Sequence, residues 1–245
     1  MKRKKLIVVK SFFSILFAAF FIILTKVKLT PILGTKMKFS ASVIFGPILS
    51  SILGIVPGTF SIVFAHLVGL LIGFYKIKSL SSYFIFLPII TAGIYFARVF
   101  KRDRKMVIPC ILAILLFVLH PIGRKVWFYS LFWTIPIFIA TYKKKHDILF
   151  KHKFLVLYAY SLGAAFVDHA VGSVMYLYFL NIPAKFWIQA IPLTIVERLL
   201  IAFGIMVSYL SITACLKSIA ELAIPTALII KEKRKIKVGI HERGR

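Results

Sequence analysis

The stretch FLVLYAYSLGAAFVDHAVGSVMYLYFL, residues 154–180, decides how this chain is read. Asp168 is its single formal charge, and it stands beside His169. A helix of this length rises about 40 Å, more than the ~30 Å hydrocarbon core of a bilayer. Lipid offers no partner for backbone N–H and C=O groups, so such a segment must satisfy them internally as a helix. The apolar composition lacks the strict alternation of a barrel strand. Working outward, further apolar runs lie at 6–25, 39–56, 58–75, 82–97, 106–122, 126–142 and 186–216. Across 245 residues the chain is 60% hydrophobic, with a mean hydropathy of +0.94.

The expected fold is therefore all-α, a polytopic transmembrane bundle of six to eight spans. Residues 1–216 form it as a single domain, and 217–245 follow as a basic cytoplasmic tail with a short interfacial segment. Pro225 is expected to interrupt any long helix there. The basic start and apolar run of the first 28 residues resemble a signal sequence. They lack a small-x-small cleavage site and read as an uncleaved first helix.

Charge orients the runs. The net charge of +26 comes from 33 Lys and Arg against seven acidic residues. Most basic residues sit in short clusters between apolar runs, which reads as topology and attraction to anionic lipid rather than nucleic-acid binding. With the N-terminus inside and every run crossing, 22 Lys and Arg fall inside and nine outside. Both termini are expected in the cytoplasm of a multi-pass cell-membrane protein. Residues 39–75, with Gly46-Pro47 and Pro57-Gly58, read either as two crossing helices or as a re-entrant pair. Both options leave the remaining orientations unchanged.

Four of the nine outside charges, Lys26, Lys28, Lys36 and Lys38, crowd the first external loop. They are either scatter that the N-terminal KRKK outweighs, or a basic external gate that meets an anionic solute.

Ionisable groups at membrane depth are costly unless paired or hydrated, so each is a candidate for function. Asp168 is twelve residues before the outer end near Leu180, about 18 Å deep. Glu197, beside Arg198, is eleven residues past Phe186, about 16 Å deep. The two runs are consecutive and antiparallel, so both polar pairs arrive at one level. They form either an interhelical ion pair (Asp168 with Arg198, or Glu197 with His169) or the polar wall of a solute pocket. Ser161, Gly163, Ala164, Ala165, Ala170, Gly172 and Ser173 allow close helix approach and turn the Asp-His pair toward protein. His66, in FAHLVG, reads as a packing histidine or a ligand contact. Trp127, Trp133 and Trp187 suit interfacial anchoring or substrate stacking.

Cys110 and Cys215 stand in different runs without metal-ligand spacing, and no metal or cofactor is expected. The chain carries no G-x-S-x-G, H-E-x-x-H or P-loop pattern, so no enzymatic activity is expected and an ATP-driven pump would need its ATPase on another chain.

The segment IFGPILSSILGIVPGTFSIVFAHLVGLLIG resembles the second and third helices of the substrate-binding membrane subunits of energy-coupling-factor transporters. The preceding helix and loop, and a late helix with an acidic residue (ERLLIAFGIMVSYL), follow a similar order. The resemblance covers about the first third of the chain and its last helix. It implies uptake of a vitamin-like micronutrient, a cavity in the outer half capped by the first external loop, and coupling to a membrane subunit with two ATPases. Ser14-x-x-x-Ala18 keeps the spacing of that family's A-x-x-x-A partner contact but not the motif. Family members have about six helices in a shorter chain.

The expected function is binding of a small polar solute in support of its uptake. Asp168, His169, Glu197, Arg198 and His66 would contact the solute, Lys26, Lys28, Lys36 and Lys38 would gate it, and Ser14 and Ala18 would meet a partner helix. The rivals are a proton-coupled secondary carrier using Asp168 and Glu197, and a membrane-embedded enzyme acting on lipid through Asp168 and His169.

Overall fold

The computed structural model describes residues 2–36, 38–74, 84–101, 103–141 and 153–242, with side chains between 12 and 218. The expected loops at 76–81 and most of 143–153, and the lysines of the first five residues, lie outside the described residues or side chains. The chain is almost entirely helical: α1 Lys2–Lys26, α2 Ser42–Leu53, α3 Ile55–Leu71, α4 Leu87–Val99, α5 Ile108–Leu119, α6 Pro121–Lys125, α7 Thr134–Thr141, α8 Lys153–Leu180 and α9 Ala184–Glu242. Short 3-10 turns at Arg104–Val107 and Trp127–Trp133 precede α5 and α7.

Among the described residues, two helices are long and apolar enough to cross a membrane, α8 and the Ala184–Ser218 part of α9. Other apolar helices are shorter, among them α2, α3 and α4. The run at 126–142 is broken between a 3-10 turn and the eight-residue α7.

Local sequence explains the helix ends. Pro88, Pro109 and Pro121 each stand in the first turn of a helix, where a missing N–H costs nothing and the fixed φ is already helical. Asp103 caps the turn before α5, accepting from Lys105 N at 3.0 Å. Asn181, at φ 48°, ends α8 in the left-handed conformation. Gly54 separates α2 from α3 at φ 100° and ψ 159°, a combination open essentially to glycine alone. The chain doubles back there. A Cβ on Gly58 would lie 2.6 Å from the Ser50 backbone, so α3 rests directly on α2.

α4 packs against both α2 and α8. Tyr95 lies over Gly163 and donates to the Pro136 carbonyl at 2.9 Å, joining α4, α8 and α7. Phe117, Tyr129, Trp133 and Trp187 pack with Leu177 of α8 in a buried hydrophobic cluster.

Three expectations need correction. The segment expected to be the first external loop is a β-hairpin, with β1 Lys28–Pro31 antiparallel to β2 Lys38–Ser40 and the pairs Lys28↔Ser40 and Pro31↔Lys38. Its β-favouring residues were masked by the lysines among them. α9 continues through Pro225 to Glu242. The Lys-, Ala- and Leu-rich neighbours favour helix strongly enough that proline does not end it. Ala18 is 3% exposed, within packing that α1 makes with α2 and α3. It is therefore not on a face that a partner helix would meet, and Ser14 is half-buried.

Residues 2–206 and 207–242 behave as two compact units. Every site residue below belongs to the first.

Candidate functional site

The first unit encloses a cavity of about 680 Å³. Asp168, His169, Glu197 and His66 line it, and so do Lys26 at the end of α1 and the hairpin lysines Lys28, Lys36 and Lys38. Residues singled out from four separate parts of the sequence thus border one space.

Arg198 organises the deep end. Its side chain is fully buried at 0% exposure and stands behind the wall rather than in it. One guanidinium nitrogen donates to Asp168 Oδ2 at 3.2 Å and to the Ala165 carbonyl at 3.4 Å. The other donates to Glu197 Oε2 at 2.8 Å. The Phe39 ring covers the guanidinium at 4.9 Å. This corrects its expected role: Arg198 holds the two acids and does not face a solute.

The remaining carboxylate oxygens differ. Glu197 Oε1 accepts from the Thr30 hydroxyl of the hairpin. Asp168 Oδ1 is buried with no hydrogen-bond partner among the described residues. With two carboxylates and one guanidinium, the cluster carries a net charge of −1 when both acids are ionised.

His169 adds no charge. The Trp133 indole N–H, which can only donate, points at His169 Nδ1 at 3.1 Å. Nδ1 therefore holds a lone pair and Nε2 holds the proton. Nε2 donates to the Tyr129 hydroxyl at 3.0 Å, leaving that hydroxyl to donate to Thr194 Oγ1 at 2.9 Å. This assignment follows from the network. The alternative Glu197–His169 ion pair is absent, because both imidazole nitrogens are engaged elsewhere. With both His169 nitrogens taken and Asp168 Oδ2 on Arg198, no hydrogen bond joins Asp168 to His169 among the described residues.

His66 is 4% exposed, with its ring 5.0 Å from that of Phe86. Trp133 and Trp187 are buried, which rules out interfacial anchoring for both, whereas Trp127 is 54% exposed.

The hairpin stands beside α9 rather than over its end. Gly34, at the turn, lies against Phe186 and Ile182. Thr30 reaches Glu197, eleven residues farther along α9, about 16 Å of helix rise. Lys26 Nζ donates to the Phe74 carbonyl at 2.9 Å and sits over the Phe74 ring, while Lys28 Nζ donates to the Thr25 carbonyl at 2.8 Å. Burial first, then the nearby Lys26 charge, lowers the Lys28 pKa from its ordinary value.

Sequence reasoning missed Thr30, Phe39, Tyr129 and Thr194, and it gave Trp133 no part in holding His169. Two of them left a signal. Thr194 stands three residues before Glu197 and so shares its helix face. Trp133, in an aromatic-rich run beside a proline, carries a polar atom that needs a partner once buried.

No protein-family model, no curated protein and no solved structure matches this chain. Its function must be argued from this geometry.

Proposed function

We propose that the chain is a multi-pass cell-membrane protein of six to eight spans that binds a small polar solute in the hairpin-walled cavity. It supports uptake of that solute together with separate ATPase and coupling subunits. The observation that carries the reading is the shared lining: the basic hairpin and the buried Asp168, His169 and Glu197 border one cavity of about 680 Å³. Ionisable groups at membrane depth are tolerated where they are paired or line a hydrated space, which a solute cavity supplies.

The short α2 is compatible with a full crossing. Ala41 alone separates β2 from α2. Twelve helical residues contribute about 18 Å and three extended ones about 10 Å, a contour close to the ~30 Å hydrocarbon core. Exposed apolar side chains such as Phe60, Leu67, Leu112, Leu116, Leu200 and Phe203 suit a lipid surround. The resemblance of 39–75 to substrate-binding subunits of energy-coupling-factor transporters supports the division of labour, with ATP hydrolysis on other chains.

The test is purification from the native host in mild detergent, with mass spectrometry of whatever accompanies the protein. Co-purifying ATPase and coupling subunits, with a bound small molecule lost in Asp168→Asn, are the expected result. Proton-gradient-driven uptake by this chain alone in liposomes would overturn the ATP-coupled reading in favour of a secondary carrier.

A further inference from the structure

The hydrogen-bond chain behind the cavity has a fixed polarity and one proton more than it uses. Trp133 Nε1 meets His169 Nδ1 at 3.1 Å, His169 Nε2 meets the Tyr129 hydroxyl at 3.0 Å, and that hydroxyl meets Thr194 Oγ1 at 2.9 Å. The indole can only donate, so it places the single proton of the neutral imidazole on Nε2, which donates to Tyr129. Beyond that point stand two hydroxyl protons, of Tyr129 and Thr194, and one bond between their oxygens. One proton fills the bond and the other is in surplus. The count holds in both directions. With Tyr129 donating, the surplus proton is on Thr194; with Thr194 donating, it is on Tyr129. Neither hydroxyl has a further partner among the described residues. Thr91, Thr141 and Thr213 turn their hydroxyls onto the carbonyl four residues back in their own helices, whereas Thr194 makes no such bond. Tyr129 and Thr194 are 3% and 4% exposed and both line the cavity, so an acceptor can reach the surplus proton from there.

We infer that this chain sets a hydrogen-bond donor in the cavity wall at the Tyr129–Thr194 pair, and that the solute meets it with an acceptor oxygen of the carbonyl or carboxylate kind. The inference rests on the solute-binding reading above and specifies the chemistry of the solute at this place. A buried donor without a partner carries the full cost of its lost hydration, and an acceptor oxygen removes that cost. An ammonium brought to the same place faces a proton instead of a lone pair. The charge of the wall points the same way. Lys26, Lys28, Lys36 and Lys38 line the cavity against Asp168 and Glu197, and Arg198 already answers one of those two acids. The rings of Phe39, Phe74, Phe86 and Tyr176 border the same space and suit an apolar body behind the acceptor. Trp133 does not line the cavity, so it is a positioning residue that acts through His169 and Tyr129. Without its N–H, the imidazole is free to carry its proton on Nδ1. Nε2 then accepts from Tyr129 and Tyr129 accepts from Thr194. Both hydroxyl protons are used, and the wall offers a lone pair where it had offered a donor.

The experiment uses the full chain in lipid nanodiscs and isothermal titration with three probes on a similar aryl-alkyl body. Benzylacetone and hydrocinnamate only accept hydrogen bonds, and phenylpropylammonium only donates them. The ketone and the carboxylate are expected to bind about tenfold more tightly than the ammonium. Trp133→Phe changes no lining residue and no charge, and should reduce the ketone's advantage to about twofold or less. Repulsion of the ammonium by the lysines is the same in both proteins, so the change in ratio reports the proton direction. Nitrogen resonances of isotope-labelled histidine, assigned with His169→Gln, should show His169 protonated on Nε2 alone in the parent and partly on Nδ1 in Trp133→Phe. An ammonium that binds the parent as tightly as the ketone overturns the inference, as does a preference that survives Trp133→Phe intact. A parent His169 protonated on Nδ1 also overturns it, and the parent ranking and tautomer decide the matter even where Trp133→Phe folds poorly. If none of the probes binds to protein that still co-purifies with ATPase and coupling subunits, the acceptor assignment is rejected and the uptake reading survives. Acceptor-selective binding by protein that brings no subunits keeps the assignment and rejects the coupling.

Discussion

Replacing Arg198 by glutamine removes the only cation in contact with Asp168 and Glu197 among the described residues, and leaves two carboxylates at the centre of the first unit. Breaking a buried ion pair from one side costs about 3–5 kcal/mol, because the surviving charge stays desolvated. For a chain of this size each kcal/mol shifts the melting temperature by about 2–4 °C, so Arg198→Gln should lower it by about 6–20 °C. The assay is intrinsic fluorescence of the buried Trp133 and Trp187 during heating. Because such proteins unfold irreversibly, half-lives at one fixed temperature should accompany it. The decisive comparison is the triple variant Asp168→Asn, Glu197→Gln, Arg198→Gln. It contains no buried charge in the cluster, and should recover most of the loss. Asp168→Asn alone leaves the balanced Glu197–Arg198 pair and should change stability by less than about 1 kcal/mol, although it removes ligand binding. A loss under about 3 °C in Arg198→Gln, or no recovery in the triple variant, refutes the charge accounting.

Further outcomes follow from other parts of the fold. Gly58→Ala places a methyl group 2.6 Å from the Ser50 backbone and should cost about 1–3 kcal/mol, whereas Gly172→Ala, with nothing nearer than 3.6 Å, should melt close to the parent. Lys28 has a lowered pKa in the folded chain, so the folded state binds its proton less tightly than the unfolded state does. Its unfavourable contribution should fade as the pH rises toward the ordinary value of 10.5, and Lys28→Gln should flatten the alkaline limb of the melting-temperature curve. In a variant lacking Cys110 and Cys215, single cysteines at Lys125 and Lys185 should react with an impermeant maleimide added outside intact cells. One at Lys101 should react only after permeabilisation. Outside labelling at Lys101 would contradict the proposed topology.

The sequence showed the level of the site more readily than its wiring. Helical rise alone brought Asp168 and Glu197 to one depth, and the folded chain does join them through Arg198. The arithmetic worked because α8 and α9 are regular helices linked by a short turn, so residue number converts to distance. It could not reveal which charge faces the cavity, since that depends on side-chain direction. Glu197 and Arg198 are neighbours in sequence, yet one lines the cavity and the other stands behind it. The lock on His169 was invisible for a related reason. Trp133 and Tyr129 come from a segment that reads as one apolar run but folds as a 3-10 turn followed by a short helix. Their distance from His169 in sequence carries no periodicity to follow. Lys26, Lys28, Lys36 and Lys38 stood out because they contradicted the charge bias. What the pattern could not supply was the strand pairing, because two strands this short are stabilised by what they pack on rather than by their own alternation.

The hairpin has one more consequence. β1 and β2 satisfy each other's backbone groups, and the segment draws little on the backbone of the helices beside it. Its outward chemistry is thereby separable from the helical frame. Thr30 and Phe39 fasten it to Glu197 and Arg198, while Lys36 and Lys38 have no such duty among the described residues. Substitutions confined to those two positions therefore alter the charge of the cavity wall while the fastenings at Thr30 and Phe39 stay in place.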